Sequence, residues 1–192
     1  ASYQAAQFRA DVQAALESYF GAAAVGVGRK AFGIHESTYR INADVIACFD
    51  FRLYAADQSY WEGTALLPEA GGYIMNWPEQ NYNNGVQKND ATRQSYKGVV
   101  RILKNLKNEM EANGKGAATG APSFLLESLA YNVPNEGFLN PTYLDDVRWV
   151  LAHTCDETRE VGGHANWLEV NAIKFLFHES QPWTRAGRTP DQ

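Results

Sequence analysis

Near the end of its first quarter the chain runs Arg40-Ile41-Asn42-Ala43-Asp44-Val45-Ile46-Ala47-Cys48-Phe49-Asp50-Phe51-Arg52. Ile41, Ala43, Val45, Ala47 and Phe49 alternate with Asn42, Asp44, Ile46, Cys48 and Asp50, the period-two pattern of a strand with one apolar and one acid-bearing face. The reading extends the strand from Tyr39 to Tyr54 and puts Asp44 and Asp50 on one face. Ala24 to Ile34 reads as its antiparallel neighbour, joined through His35-Glu36-Ser37-Thr38. Before it, Phe8, Val12, Ala15, Leu16 and Tyr19 recur at helical spacing and Gly21 supplies the stop. After it, Tyr60 to Leu66 and Gly72 to Trp77 form a hairpin around Pro68-Glu69-Ala70-Gly71.

Beyond Trp77-Pro78 the pattern changes. Glu79 to Asn89 is polar and Asn-rich and reads as a connector, and the rest reads mainly helical. In the helix expected from about 90 to 112, Val99, Leu103, Leu106 and Met110 face one way, while Lys97, Arg101, Lys104 and Asn108 face the other. Gly114 to Gly120 reads as a loop, Pro122 to Tyr131 as a helix ended by Pro134, and Asn140-Pro141 as the start of a helix running from Thr142 to Cys155. Residues 156–164 read as a loop and 166–177 as a last helix. The expected fold class is α+β: residues 1–85 as strands with one helix, residues 86–192 as a helical lobe.

Composition bounds the function. The 192 residues are 45% hydrophobic and 20% charged, with 16 Gly and 7 Pro, which suits one medium globular domain or two lobes. No apolar run approaches the ~18 residues of a membrane span. Cys48 and Cys155 form no CxxC, so cysteine chemistry is not indicated and a reducing cytoplasm is the expected compartment. Four histidines, among them His153, His164 and His178, fit no zinc-ribbon spacing. The net charge of −5 argues against a long nucleic acid as partner. Gly-x-Ser-x-Gly, P-loop and HExxH motifs are absent.

Three features can carry chemistry. Asp44, an acid among apolar strand residues, is either solvent-facing or a ligand to a cation; Asp50 reads as a surface acid beside Arg52. Lys97, Arg101 and Lys104 are either a solvated face or a set balancing nucleotide phosphates. Ser123 is either the N-cap of the following helix or a further phosphate donor.

The order Asn42-Ala43-Asp44-Val45-Ile46, Trp77-Pro78-Glu79-Gln80-Asn81-Tyr82, Asn84-Gly85-Val86-Gln87-Lys88-Asn89, Thr92, Tyr96-Lys97 and Val100-Arg101-Ile102-Leu103-Lys104 resembles the cyclic GMP-AMP synthase/DncV-like nucleotidyltransferases (CD-NTases) of bacterial anti-phage defence. The resemblance covers the chain up to about residue 155. It implies a partial polymerase-β-like sheet followed by a helical lobe, and an enzyme that joins nucleoside triphosphates into cyclic di- or oligonucleotides with Mg²⁺ or Mn²⁺. In that frame Asp44 matches the third metal-binding carboxylate, Lys104 and Ser123 the triphosphate contacts, and Phe124 a base-stacking aromatic. Arg101 and Lys97 are secondary phosphate partners.

The departures carry expectations of their own. The family places a Gly-Ser turn and an Asp-x-Asp or Glu-x-Asp strand upstream of the first helix, and this sequence has neither Gly-Ser nor Asp-x-Asp. Asp145-Asp146 cannot substitute, because consecutive helical residues point about 100° apart. One carboxylate cannot fix two ions about 3.5–4 Å apart. The chain, which opens on Ala1 rather than Met, is therefore expected to be an inactive fragment of a longer enzyme, with self-association through the sheet edge left exposed. A tailing polymerase of the same superfamily would carry a more basic surface. A degenerate domain that binds nucleotides or scaffolds a partner is the reading from another class.

Overall fold

The computed structural model describes residues 4–68, 71–159, 163–179, 181 and 183. The chain divides into two compact units, Ala1–Trp77 and Pro78–Gln192.

The first unit opens with helix α1 (Ala5–Phe20), stopped at Gly21, whose φ of 85° favours a residue without a Cβ. Strands β1 (Val25–Val27), β2 (Phe32–Ile34) and β3 (Ala43–Val45) follow in an antiparallel sheet of that order. The expected strand from Ala24 to Ile34 is thus two strands. The chain reverses at Gly28, whose N–H donates to the Ala31 carbonyl at 3.0 Å. A Cβ on Gly28 would stand 2.9 Å from that oxygen, so the turn requires glycine. α1 covers one face of the sheet: Val12, Leu16 and Phe20 pack on Val25, Phe32, Ile34 and Val45.

The long second run is also two strands. It leaves the first sheet at Val45 and enters a second as β4 (Phe49–Tyr54), which pairs with β5 (Tyr60–Leu66), which in turn pairs with β6 (Ile74–Asn76). Asp44 and Asp50 therefore lie in different sheets, opposite Gly33 and Thr64 respectively, and the shared acidic face does not form. Alternation alone cannot reveal the break, because both halves keep the same period. Arg52 pairs with Glu62 directly across the ladder, at 3.0 Å, rather than with Asp50. Glu69 and Ala70 of the expected hairpin turn lie outside the described residues.

The second unit is helical. The polar stretch after Trp77 is not a connector but helix α2 (Pro78–Ala91). Pro78 suits a first helical position, where its missing N–H costs nothing. The asparagines that lower its intrinsic propensity make tertiary bonds instead: Asn84 Nδ2 donates to the Val170 carbonyl at 2.9 Å, and buried Asn89 accepts the Lys97 N–H at 3.0 Å. The helix expected from about 90 starts later, as α3 (Ser95–Ala112), after Arg93 and Gln94 reverse the chain at positive φ.

α4 (Ser123–Asn132) and α5 (Tyr143–Arg159) complete the bundle. Its core joins Tyr96, Val99, Val100 and Leu103 of α3 to Ala130, Val133, Phe138, Val147 and Val150. Truncating a fully buried ring such as Phe138 typically costs about 3–5 kcal/mol.

Residues 166–177 are not a helix. Leu168 and Phe175 form an antiparallel bridge, and the Asn171 side chain accepts the N–H groups of Ile173 and Lys174 at 2.9 and 3.1 Å. An Asn that captures neighbouring N–H groups offers the backbone an alternative to helix. The segment is tied back by the ring stack of Trp149, His153 and Trp167, with centroids 5.1 and 6.3 Å apart. No helix among the described residues is long and apolar enough to cross a membrane.

Candidate functional site

In the first unit, β2 fixes the surroundings of Asp44. Gly33 is its cross-strand partner and Gly26 the partner of Gly33, so one row across the sheet reads Gly26, Gly33, Asp44. This row faces away from α1, because Phe32 and Ile34, the neighbours of Gly33, are buried against that helix. Asp44 is exposed, and among the described residues its carboxylate has no hydrogen bond or ion pair. Two of the three positions in the row lack side chains, which leaves bare backbone beside the carboxylate.

In the second unit, α3 and α4 bring the other residues onto one another. The Lys104 ammonium meets the Glu127 carboxylate at 2.8 Å, both side chains being about 30% exposed. Glu127 is four residues beyond Ser123, hence one helical turn along the same face of α4. Ser123 is exposed at the start of α4, but it is not the cap. Pro122 precedes the helix and its carbonyl accepts the Leu125 N–H at 3.0 Å. Ser123 thus stands exposed at a helix N-terminus, the end whose first backbone N–H groups favour anions.

Lys97 and Arg101 continue the stripe toward the start of α3. Lys97 is half-buried, its ammonium 5.8 Å from the centre of the Tyr82 ring, and Arg101 is exposed. Phe124 is half-buried with its ring 6.4 Å from that of Trp183. The second unit therefore sets Lys104 against Glu127 of α4, about one helical turn from Ser123 and Phe124 at the start of that helix, with Arg101 and Lys97 along α3. Asp44 belongs to the first unit.

Glu127 went unnoticed in the sequence. The signal was there: it is the one acid in Ser123-Phe124-Leu125-Leu126-Glu127-Ser128-Leu129-Ala130, four residues from Ser123. Tyr96 adds to the same junction, donating its hydroxyl to the Glu127 carbonyl at 3.2 Å; burial pushes that phenol far above its usual range.

The fit to a divalent ion pair can be tested on these residues. Among the described residues no three His, Cys, Asp or Glu side chains come together as metal ligands. Asp44 supplies one oxygen-bearing group, which does not suffice for two ions.

The cGAS/DncV-like nucleotidyltransferase C-terminal helical domain matches residues 83–188 of the chain. The chain belongs to the CD-NTase family. It is 38% identical over 187 residues to a cyclic dipyrimidine nucleotide synthase CdnE of Legionella pneumophila, covering 96% of this chain and 62% of that relative. A cyclic UMP-AMP synthase of Rhodothermus marinus is 32% identical, with 94% of this chain and 67% of the relative covered. The CD-NTase fold also superimposes on the Elizabethkingia meningoseptica CdnE cyclic dinucleotide synthase solved with GTP and Apcpp. The TM-score is 0.84 at 29% identity, over 97% of this chain and 72% of that one. The α+β architecture is thus that of CdnE nucleotidyltransferases, and the similar relatives are cyclic nucleotide synthases. The chain spans about 62% of the length of the curated relatives it matches first.

Proposed function

We propose that this chain is part of a synthase that joins nucleoside triphosphates into a cyclic di- or oligonucleotide second messenger, in the anti-phage signalling that the family resemblance implies. The observation that carries the reading is the 38% identity to a cyclic dipyrimidine nucleotide synthase along almost the whole chain. The geometry supports it through Lys104, Ser123 and the opening turn of α4, which together offer an ammonium, a hydroxyl and backbone N–H groups to a triphosphate. Phe124 lies beside them as a stacking surface for a base, and Arg101 and Lys97 add positive charge along α3.

In this reading Asp44 is one ligand of a Mg²⁺ or Mn²⁺ ion, which when bound with a second would activate the attacking hydroxyl and steady the leaving pyrophosphate. The 192 residues hold no Gly-Ser turn and no Asp-x-Asp, so the chain alone binds nucleotide without turning it over. Base choice is left to experiment, since the relatives include dipyrimidine, dipurine and UMP-AMP synthases at 32–38% identity.

The test is to incubate the full gene product with the four ribonucleoside triphosphates and Mg²⁺, digest remaining phosphomonoesters, and identify resistant products by mass spectrometry. A cyclic product that disappears in Asp44→Asn supports the reading. Nucleotide binding without any product favours the second reading, a degenerate domain that senses nucleotides, to which the lone carboxylate gives weight.

A further inference from the structure

Asn84, Gln87 and Lys88 fall three and four residues apart, so they share one face of α2. The end of α4 brings Tyr131 and Asn132 to that face, and the short turn after it brings Asn135. These six residues line an open cleft of about 530 Å³, within the ~300–1,000 Å³ range of small-molecule sites. None of them belongs to the nucleotide site proposed above. α4 runs ten residues from Ser123 to Asn132, which sets the two ends about 14 Å apart along the helix axis.

The cleft holds a charge without a counter-charge. The half-buried Lys88 ammonium donates to the Val133 carbonyl at 2.6 Å and to Asn135 Oδ1 at 3.0 Å, both neutral acceptors. Among the described residues no carboxylate forms an ion pair with it. A cation withdrawn from water is ordinarily paired. Lys88 instead has its pKa lowered to about 8 by burial, against the weaker opposing field of Glu136.

Hydrogen-bonding groups around it are also left over. Asn135 commits its oxygen to Lys88 and keeps Nδ2, while Asn84 donates Nδ2 to the Val170 carbonyl and keeps Oδ1. The Gln87 amide and the Tyr131 hydroxyl make no hydrogen bond among the described residues.

Charge balance selects the ligand. A phosphate dianion would exceed the single positive charge and meet the field of Glu136, whereas one carboxylate matches it. Asn135 Nδ2 and the Tyr131 hydroxyl are donors suited to carboxylate oxygens, and Asn84 Oδ1 and Gln87 remain for a donor elsewhere on the ligand. We propose that this cleft binds a small carboxylic acid bearing a further hydrogen-bond donor, its carboxylate paired with Lys88 and its polar body against Asn84 and Gln87.

The experiment follows the Lys88 side-chain signal by NMR in the full gene product carrying ¹³Cε-labelled lysine, the signal being assigned by its disappearance in Lys88→Met. Sodium acetate and sodium glycolate are titrated in parallel with sodium phosphate and sodium chloride at equal ionic strength. Expected is a saturable movement with half-saturation at roughly millimolar acetate, and glycolate, which adds a hydroxyl, binds about threefold more tightly. Gln87 is exposed and supports no bond, so Gln87→Glu sets a competing carboxylate in the cleft without disturbing the fold, which a melting curve checks. That variant weakens acetate about tenfold or more, while Lys104→Ala leaves the titration unchanged.

No saturable movement with either acid in wild type overturns the site and leaves Lys88 as a structural tie between α2 and the end of α4. Phosphate binding more tightly than both acids overturns the ligand class. A titration lost in Lys104→Ala but untouched by Gln87→Glu places the acid elsewhere and overturns the assignment to this cleft.

Discussion

The Lys104 ammonium of α3 and the Glu127 carboxylate of α4 stand 2.8 Å apart, so the cation proposed to hold a triphosphate is already paired within the chain. A nucleotide that uses it competes with Glu127 for the ammonium. The pair is about 30% exposed, and its contribution to stability is of the order of 1 kcal/mol or less, so exchange is affordable. Glu127→Gln is expected to tighten nucleoside triphosphate binding about three- to tenfold by freeing Lys104. Lys104→Ala should weaken binding far more than Lys107→Ala, whose side chain is held by Glu111 at 2.7 Å on its own helix. Calorimetric titration with a non-hydrolysable triphosphate reads both, and equal effects of the two lysine changes would refute the phosphate role of Lys104.

Asp44→Asn is expected to abolish product in the full gene product while leaving the melting temperature within about 1–2 °C of wild type. The carboxylate is exposed and supports no hydrogen bond among the described residues, so its loss removes the proposed metal ligand and no structural contact. Retained turnover would make Asp44 a surface acid.

Lys88 gives a pH signature. Its ammonium donates to the Val133 carbonyl at 2.6 Å and to Asn135 Oδ1 at 3.0 Å, with the rings of Tyr96, Tyr131 and Phe138 within 6.0 Å. Burial lowers its pKa from the ordinary 10.5 to about 8, against the opposing charge of Glu136. Below pH 8 both folded and unfolded chains hold the proton, and Lys88 gives no slope. Between about pH 8 and 10.5 the unfolded chain binds the proton that the folded chain has released, so stability rises with pH. Above pH 10 the raised phenols of Tyr96 and Tyr131 act in the opposite direction, which places the clean window at pH 8–9.5. Denaturant midpoints across that window should climb in wild type, and the climb should vanish in Lys88→Met.

Gly63→Ala tests packing without touching the candidate site. A Cβ there would stand 2.6 Å from the Asn76 carbonyl oxygen and 3.0 Å from the ring of Trp77, which is buried and stacks edge-on with Phe51 at 5.9 Å. Backbone on one side and a buried indole on the other leave little room to relax, so a loss of about 1–3 kcal/mol is expected in a chemical denaturation curve. No change would mean that the β5–β6 ladder yields more readily than its register suggests.

Much of this architecture was legible in the residues. α1 follows from the spacing of Phe8, Val12 and Leu16, and α3 from its opposed Val99–Leu103 and Lys97–Lys104 stripes, because amphipathic periodicity reports a buried face directly. What stayed hidden depends on partners distant in sequence. Asn84 and Asn89 are poor helix formers until Val170 and Lys97 satisfy them. The step from β3 to β4 leaves the alternation intact, so Asp44 and Asp50 parted company without a trace in the pattern. Asp44 and Lys104 were readable as site candidates from family likeness. Glu127 emerges only when α4 is laid against α3.

The three-stranded layer of the first unit separates two kinds of constraint. Residues that turn toward α1 answer only to packing, where a change of volume is penalised and a change of identity at equal volume is largely forgiven. Those that turn the other way, Gly33 and Asp44 among them, are free of that packing demand. A lineage can therefore rework the helix side for thermal tolerance without touching the Asp44 face, or change that face at little risk to folding. In such a layer each strand residue serves only one of the two demands, and adjacent positions are free to evolve at unrelated rates.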